Sequence, residues 1–296
     1  MMKHPKTHRL IERALDIRDV PAQEDNSLTF MARIMAQATL PHSDPGNVPA
    51  WVRTNGDTTL IIQPGVKLVN GEPKSLGLPY GSIPRLLMSW VTAEALRTKN
   101  RKLILGDNLS DFMEQLDLVP SGGRRGDITR FKNQMNRLFQ ARISFEQFSE
   151  GGNVENHHRV SMEVAPESDL WWDYRCPEQK AFWTSWIELG EKFYKAITDH
   201  PVPIDFRVLK AIKQSPLALD LYIWLTYRMS YLRKTTHIPW TSLKQQFGSD
   251  YKDLDNFVRK TKATLRKIKL FYPALNIDEE RGRLVLLPSK THIAMK

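Results

Sequence analysis

One cysteine, Cys176, is all that the 296 residues contain. A single thiol excludes an intramolecular disulfide and a cysteine-rich zinc module, and it suits a reducing cytosol. No stretch approaches the ~20 consecutive apolar residues that span a bilayer, and the first residues lack the apolar core of a secretory signal. There is no Gly-Lys dipeptide and hence no phosphate-binding loop of the Walker type; Gly-x-Ser-x-Gly and His-Glu-x-x-His are also missing. The close histidine pair, His157-His158, is adjacent rather than alternating, and strand neighbours face opposite sides. A tyrosine nickase acting through Tyr227 or Tyr231 would therefore have no His-x-His metal pair to polarise the phosphate, and both tyrosines read as helix core. Asp253 and Asp255 read as acidic first-turn residues of a helix, not as a metal pair. The expectation is a soluble, cytoplasmic, non-membrane protein that is not an enzyme, with no cofactor and no metal.

What the chain does have is cationic charge. Lys and Arg number 43 against 33 Asp and Glu, a net charge of +10 with pI near 9.6. Such a balance points to a polyanion partner. The excess is local. Residues 121–142 hold six basic side chains against one acid, and residues 251–272 hold seven against two; together they account for the whole excess. Two short basic segments read as two contact surfaces, the alternative being two solvated helix faces. Length sets a prior of about two domains at ~150 residues each.

Residues 1–50 read as a partly flexible arm, with short amphipathic helices over 9–20 and 28–38 and proline-rich loops between. Residues 51–69 read as strand. A long helix starts at Pro84, with Leu86, Leu87, Trp90, Val91, Ala95 and Leu96 on one face. Asn108 or Ser110 caps a short helix through Leu118, and Asp127 caps a third over 128–140. In the third, Ile128, Phe131, Met135 and Leu138 form an apolar stripe opposite Arg130, Asn133, Arg137 and Gln140. A hairpin over 143–148 and 160–164 follows. Helix, helix, turn, helix, ribbon is the winged helix-turn-helix order.

The order recurs. Helices are expected over 204–213, 216–233, 240–247 (capped by Thr241) and 252–269, then a hairpin over 275–278 and 283–287. The chain thus reads as α+β, two tandem winged-helix domains: an arm at 1–50, a first domain at 51–168, a junction at 169–200 and a second domain at 201–296. The junction's Trp171, Trp172, Tyr174, Phe182, Trp183 and Trp186 read as packed aromatics, not a base-stacking platform, because the local charge is mixed.

In this motif the third helix enters the major groove, where Arg, Lys, Asn and Gln pair with base edges. The base-reading candidates are Asn133, Asn136 and Arg137 in the first domain, and Asn256, Arg259 and Lys260 in the second. Arg124, Arg125, Lys262, Arg266 and Lys267 suit phosphate contacts. Arg130 and Lys132 complete the first basic face, and Arg281 and Arg283 sit at the second hairpin. The partner is double-stranded DNA. A transcriptional repressor on one palindrome would use the same fold, because fold does not fix function.

The run Gly77-Leu-Pro-Tyr-Gly-Ser-Ile-Pro-Arg-Leu-Leu, then Glu94-Ala-Leu-Arg-Thr-Lys, Leu105-Gly-Asp-Asn-Leu-Ser-Asp-Phe, and residues 123–139 with Ile128-Thr-Arg-Phe, resembles plasmid-encoded RepA-type replication initiators. Tyr251 and Phe257 ahead of Arg259-Lys260 are similar to the recognition helix of iteron-binding initiators; Val258 stands where relatives can carry another basic residue. The resemblance implies binding to direct repeats (iterons) at a plasmid origin and origin melting. It also implies recruitment of the host replication initiator and replicative helicase. Copy-number control through a monomer–homodimer balance is implied as well, with the first domain serving partly in dimerisation.

Overall fold

The computed structural model describes every residue except 1–4, 38, 57, 124, 125, 152, 153, 249, 250 and 294–296. The chain opens with helix α1 (Pro5–Asp19), strand β1 (Leu28–Met31) and helix α2 (Arg33–Gln37). Residues 28–38, expected as one helix, are therefore divided. Four apolar-rich residues fit strand and helix equally well, and a distant partner decides: Leu28–Met31 pairs antiparallel with Val202–Asp205, Leu28 opposite Asp205. Residues 1–39 accordingly join 201–296 in one compact unit, the split unit; residues 40–200 form the other, the inserted unit. These boundaries differ from the arm, junction and two successive domains read from the sequence, because strand pairing across the chain leaves no local signal.

The inserted unit runs β2 (Trp51–Asn55), β3 (Thr58–Gln63), β4 (Val66–Val69), β5 (Glu72–Ser75), α3 (Ser82–Thr98), β6 (Lys102–Gly106), α4 (Leu109–Gln115) and α5 (Asp127–Phe139). It continues β7 (Arg142–Gly151), β8 (Val154–Glu163), β9 (Glu167–Asp169), β10 (Ser185–Glu188) and α6 (Glu191–Thr198). The hairpin β7–β8 is longer than expected, and it joins β2 and β3 in a four-stranded antiparallel sheet. Strand β6 pairs not with that hairpin but with β10. The core gathers Leu86, Leu87 and Val91 of α3, Phe131 and Met135 of α5, and Leu60 and Ile62 of β3, all fully buried. At its centre Phe112 of α4 meets Trp90 edge-on at 4.9 Å, Phe131 at 5.8 Å and Trp172 at 5.2 Å. Asn108 is the N-cap of α4, its side chain accepting from the Asp111 N–H, as one of the two capping readings expects.

Only part of the aromatic segment packs as expected. Trp172 is buried and donates from Nε1 to the Gly106 carbonyl at 3.1 Å. Trp171, Trp183 and Phe182 are exposed, Phe182 completely.

The split unit resumes with β11 (Val202–Asp205), α7 (Phe206–Ile212), α8 (Pro216–Tyr231), β12 (Thr236–Pro239), α9 (Trp240–Phe247), α10 (Leu254–Phe271), β13 (Ile277–Glu280) and β14 (Arg283–Leu286). Helix α8 is buried on most of its circumference, which is why its sequence reads apolar all round. Strand β12 pairs with β14, closing a three-stranded sheet, β12-β14-β13, beside α9 and α10. Thr241 does not cap α9: Pro239 holds the N-cap position, with no side-chain bond. Nor are Tyr227 and Tyr231 core residues. Tyr227 is half-buried and Tyr231 is 44% exposed at the end of α8.

One chain of buried polar groups in this unit runs from Asp205 through Tyr222 to His292. The fully buried Tyr222 hydroxyl accepts the Asp205 N–H at 3.1 Å, leaving its own proton for Nδ1 of His292 at 2.9 Å. Burial pushes the Tyr222 phenol far above its ordinary value and lowers the His292 imidazole below 6.5. The folded state thus keeps His292 neutral while the unfolded chain protonates it below its ordinary pKa. The unfolded state then binds more protons, so this contribution is complete above about pH 6.5 and is lost as pH falls through the lowered value. Urea unfolding between pH 7 and 5 is expected to show stability falling with pH through this group, by no more than ~1.4 kcal/mol per pH unit. In His292→Gln the dependence should be flatter by that amount; equal slopes would refute the assignment.

Candidate nucleic-acid interface

Helix α5 buries Ile128, Phe131, Gln134, Met135, Leu138 and Phe139. Its start is set by sterics rather than by Asp127. Gly126 occupies the N-cap, where a Cβ would lie 2.3 Å from the carbonyl oxygens of Ser121 and Gly122. Asp127 is the first helical residue; its N–H is donated to Ser121 Oγ at 3.0 Å, and its carboxylate pairs with Arg130 at 3.0 Å. There the acid suits the positive end of the helix dipole.

The polar stripe of α5 divides into residues that reach solvent and residues that do not. Arg130, Lys132 and Asn133 are exposed, and Asn136 is half-buried. Lys132 lies with Nζ 4.0 Å from the ring centre of Tyr174, whose phenol is pushed up to about 12 by burial. Arg137, expected to read bases, turns back into its own unit. Its side chain is only 21% exposed, and its guanidinium donates to the Leu78 carbonyl at 3.1 Å, pairs with Asp44 at 3.4 Å and stacks on Tyr80. Gly77, at φ +79°, is what lets the loop pass: a Cβ there would sit 3.0 Å from the Arg137 Cζ. Gln134, not singled out by the sequence, is the second anchor, its Oε1 accepting the Tyr80 N–H at 2.8 Å. The Gly77-Leu-Pro-Tyr motif is therefore the loop that seats α5. An arginine on a polar stripe gives no sequence signal that a loop some 60 residues upstream will cover it. Arg124 and Arg125 lie outside the described residues.

In the split unit, α10 buries Phe257, Thr261, Thr264, Leu265, Ile268 and Phe271. Asp253 is its N-cap, accepting the Asn256 N–H at 2.6 Å, and Asp255 lies in the first turn, as expected. Arg259 and Lys260 are exposed at the second turn. Arg259 Nη2 donates to Asn256 Oδ1 at 2.9 Å, so the two candidate readers are already aligned on one face. Arg266 and Lys267 are exposed two turns further on. Lys262 is committed elsewhere: it pairs with Glu279 at 2.7 Å and lies over Trp240, which ties α10 to the hairpin. At the hairpin, Arg281 is exposed and Arg283 lies 4.0 Å from Glu280. With Asp278, Glu279 and Glu280 on β13, this hairpin is not net basic, which weakens its attraction for phosphates.

Among the described residues no group of three or more His, Cys, Asp or Glu is placed to hold a metal ion, and no helix is long and apolar enough to cross a membrane.

Residues 78–241 match the profile of a protein family described as "Plasmid encoded RepA protein", more than half of the chain. The chain belongs to that family, a family of plasmid replication proteins. A comparison with curated proteins finds none that matches. Among solved structures, a crystal structure of RctB domains 2 and 3 in selenomethionine form is similar at a TM-score of 0.50 and 13% identity, covering 86% of this chain and 95% of that one. A second structure of RctB domains 2–3 aligns at TM-score 0.46 and 13% identity, covering 85% and 94%. At that identity the likeness concerns the fold alone; this chain itself is mixed helix and sheet, an α+β protein.

Proposed function

We propose that this protein initiates plasmid replication by binding repeated duplex DNA sites at an origin, with the first turns of α10 in the major groove. One observation carries the reading: exposed Arg259 and Lys260, with half-buried Asn256 bonded to Arg259, stand together on a helix face opposite a buried stripe. Such a helix offers guanine- and adenine-pairing groups on a rigid frame. Both units are read as winged-helix domains. The sheet β12-β14-β13 beside α8, α9 and α10 supports this for the split unit. In the inserted unit α3, α4, α5 and the β7–β8 hairpin have the same order, with the hairpin enlarged into a four-stranded sheet.

In the inserted unit the proposed DNA contacts are Arg130, Lys132 and Asn133, with Arg137 holding the loop instead. The protein acts by binding rather than by catalysis. The Tyr227 phenol, raised by burial, is harder to ionise than a free tyrosine, the reverse of an activated nucleophile. Origin opening, recruitment of the host initiator and replicative helicase, and a regulatory homodimer are parts of the same reading, as is action on plasmid DNA in the cytoplasm.

The test is a gel-shift titration of the full chain against the DNA flanking its own gene, with random duplex as competitor. Preference for direct repeats supports the initiator. Preference for a single inverted repeat would instead indicate a repressor, and equal binding to random DNA would overturn sequence-specific recognition.

A further inference from the structure

Helix α1 packs along the C-terminal part of α10 within the split unit, and Arg18 Nη2 donates to the Leu270 carbonyl there. Between the two helices and α8 lies an open groove of about 570 Å³. Four of its lining residues are cations, Arg9 and Arg13 from α1 and Arg266 and Lys267 from α10. None of the described residues lining it is acidic; Glu12, Asp16 and Asp19 of α1 are not among them. Its floor is apolar, with Leu10, Ile212 and Leu270. All four cations are exposed. Four positive groups converging without a carboxylate repel one another, and an anion relieves that cost.

We propose that α1 is a second DNA-binding element, in which Arg9 and Arg13 join Arg266 and Lys267 to grip the phosphate backbone of the duplex that α10 reads. The inference rests on the DNA-binding reading of α10 and adds an element that reading does not contain. Geometry selects the occupant. Arg266 and Lys267 lie seven residues beyond Arg259 and Lys260, which at 1.5 Å per residue is about 10 Å along the helix. The major groove is ~12 Å wide, so a helix reading bases through its first turns brings its later turns to the bounding phosphate strand. Arg9 and Arg13, one turn apart on the neighbouring helix, extend the basic surface along that strand. Contacts of this kind fix register and carry no sequence information.

The experiment compares the full-length wild type with the double variant Arg9→Ala/Arg13→Ala, measuring affinity for repeat DNA and for random duplex from 50 to 200 mM salt. The expected result is weaker binding to both DNAs by a similar factor. The slope of log K against log salt should be shallower by about 2. The gap between variant and wild type then narrows roughly tenfold over that range. Arg9→Lys/Arg13→Lys should restore the slope, which a merely structural role for the arginines would not predict. An unchanged slope overturns the assignment and leaves the groove to another anion, such as an acidic peptide. Arg259→Ala in the same series separates the two readings. If it weakens discrimination while the α1 variant keeps the wild-type slope, only the α1 proposal fails. If wild type shows no preference for repeats and Arg259→Ala changes nothing, the reading of α10 fails first.

Discussion

Arg85→Ala is expected to lower the unfolding free energy of the inserted unit by about 2–5 kcal/mol, through the hydrogen bonds lost by buried carbonyls and the cavity that opens. Arg85 is only 2% exposed, yet it carries a full charge. Its guanidinium donates to the Gly81 carbonyl at 2.6 Å, to Leu40 at 2.8 Å and to Pro41 at 3.2 Å. Alanine leaves those carbonyls short of donors and opens a cavity beneath α3. The damage should spread, because the segment held here includes Gly81, whose N–H is donated to Pro41, at the end of the loop that seats α5. Arg85→Lys keeps the charge but lacks the planar fork that serves several carbonyls at once, so an intermediate loss is expected. Urea unfolding with an unchanged m-value measures it. A loss under about 1 kcal/mol would mean that the site relaxes or hydrates, contrary to the packing described.

The second large effect concerns recognition rather than stability. Arg259→Ala should weaken binding to repeat DNA by about 1–3 kcal/mol, roughly 5- to 150-fold, and relax discrimination at one base position. The side chain is exposed and its fixed contact is Asn256 Oδ1, so folding should be nearly unaffected. Arg259→Lys is the informative companion: it retains a charge for phosphates but not the bidentate fork for guanine. It should keep most of the salt dependence and lose most of the discrimination. Arg137→Ala predicts the opposite pattern, with stability lost through Leu78 and Asp44 and little direct change in base preference. Competition titrations with single-base variants of the repeat decide; wild-type discrimination in Arg259→Ala would remove α10 as the reading helix.

The contrast between Arg259 and Arg137 marks how far the sequence could be read. Both sit on polar stripes opposite a clean apolar one, and the 3.6-residue period places α5 and α10 to within two residues of their observed ends. Periodicity reports which face of a helix is apolar. It does not report what crosses the other face. Arg137 is covered by the Gly77 loop and Lys262 is drawn to Glu279, and in each case the deciding partner is remote in sequence. Strands Leu28–Met31 and Val202–Asp205 escaped for the same reason: each is short and apolar, and each acquires its conformation from the other. Capping was legible where a side chain does the work, at Asn108, one of the two candidates there; Asp253, read as a first-turn acid, is itself the N-cap. Capping was misread at Asp127 and Thr241, where Gly126 and Pro239 hold the position.

The pairing of Leu28–Met31 with Val202–Asp205 also dictates an order of events during synthesis. Residues 1–39 leave the ribosome early but find no partner until residues 40–200 have followed. At ~5–20 residues per second the wait is roughly ten to thirty seconds. The inserted unit, continuous in the chain, can close its core in that time. The early segment meanwhile waits with Leu28, Phe30 and Met31 unshielded, a natural target for holding chaperones. A nascent chain stalled before residue 201 would therefore display a folded inserted unit behind an unpaired leader, and release of β11 would be the step that gives the leader its place.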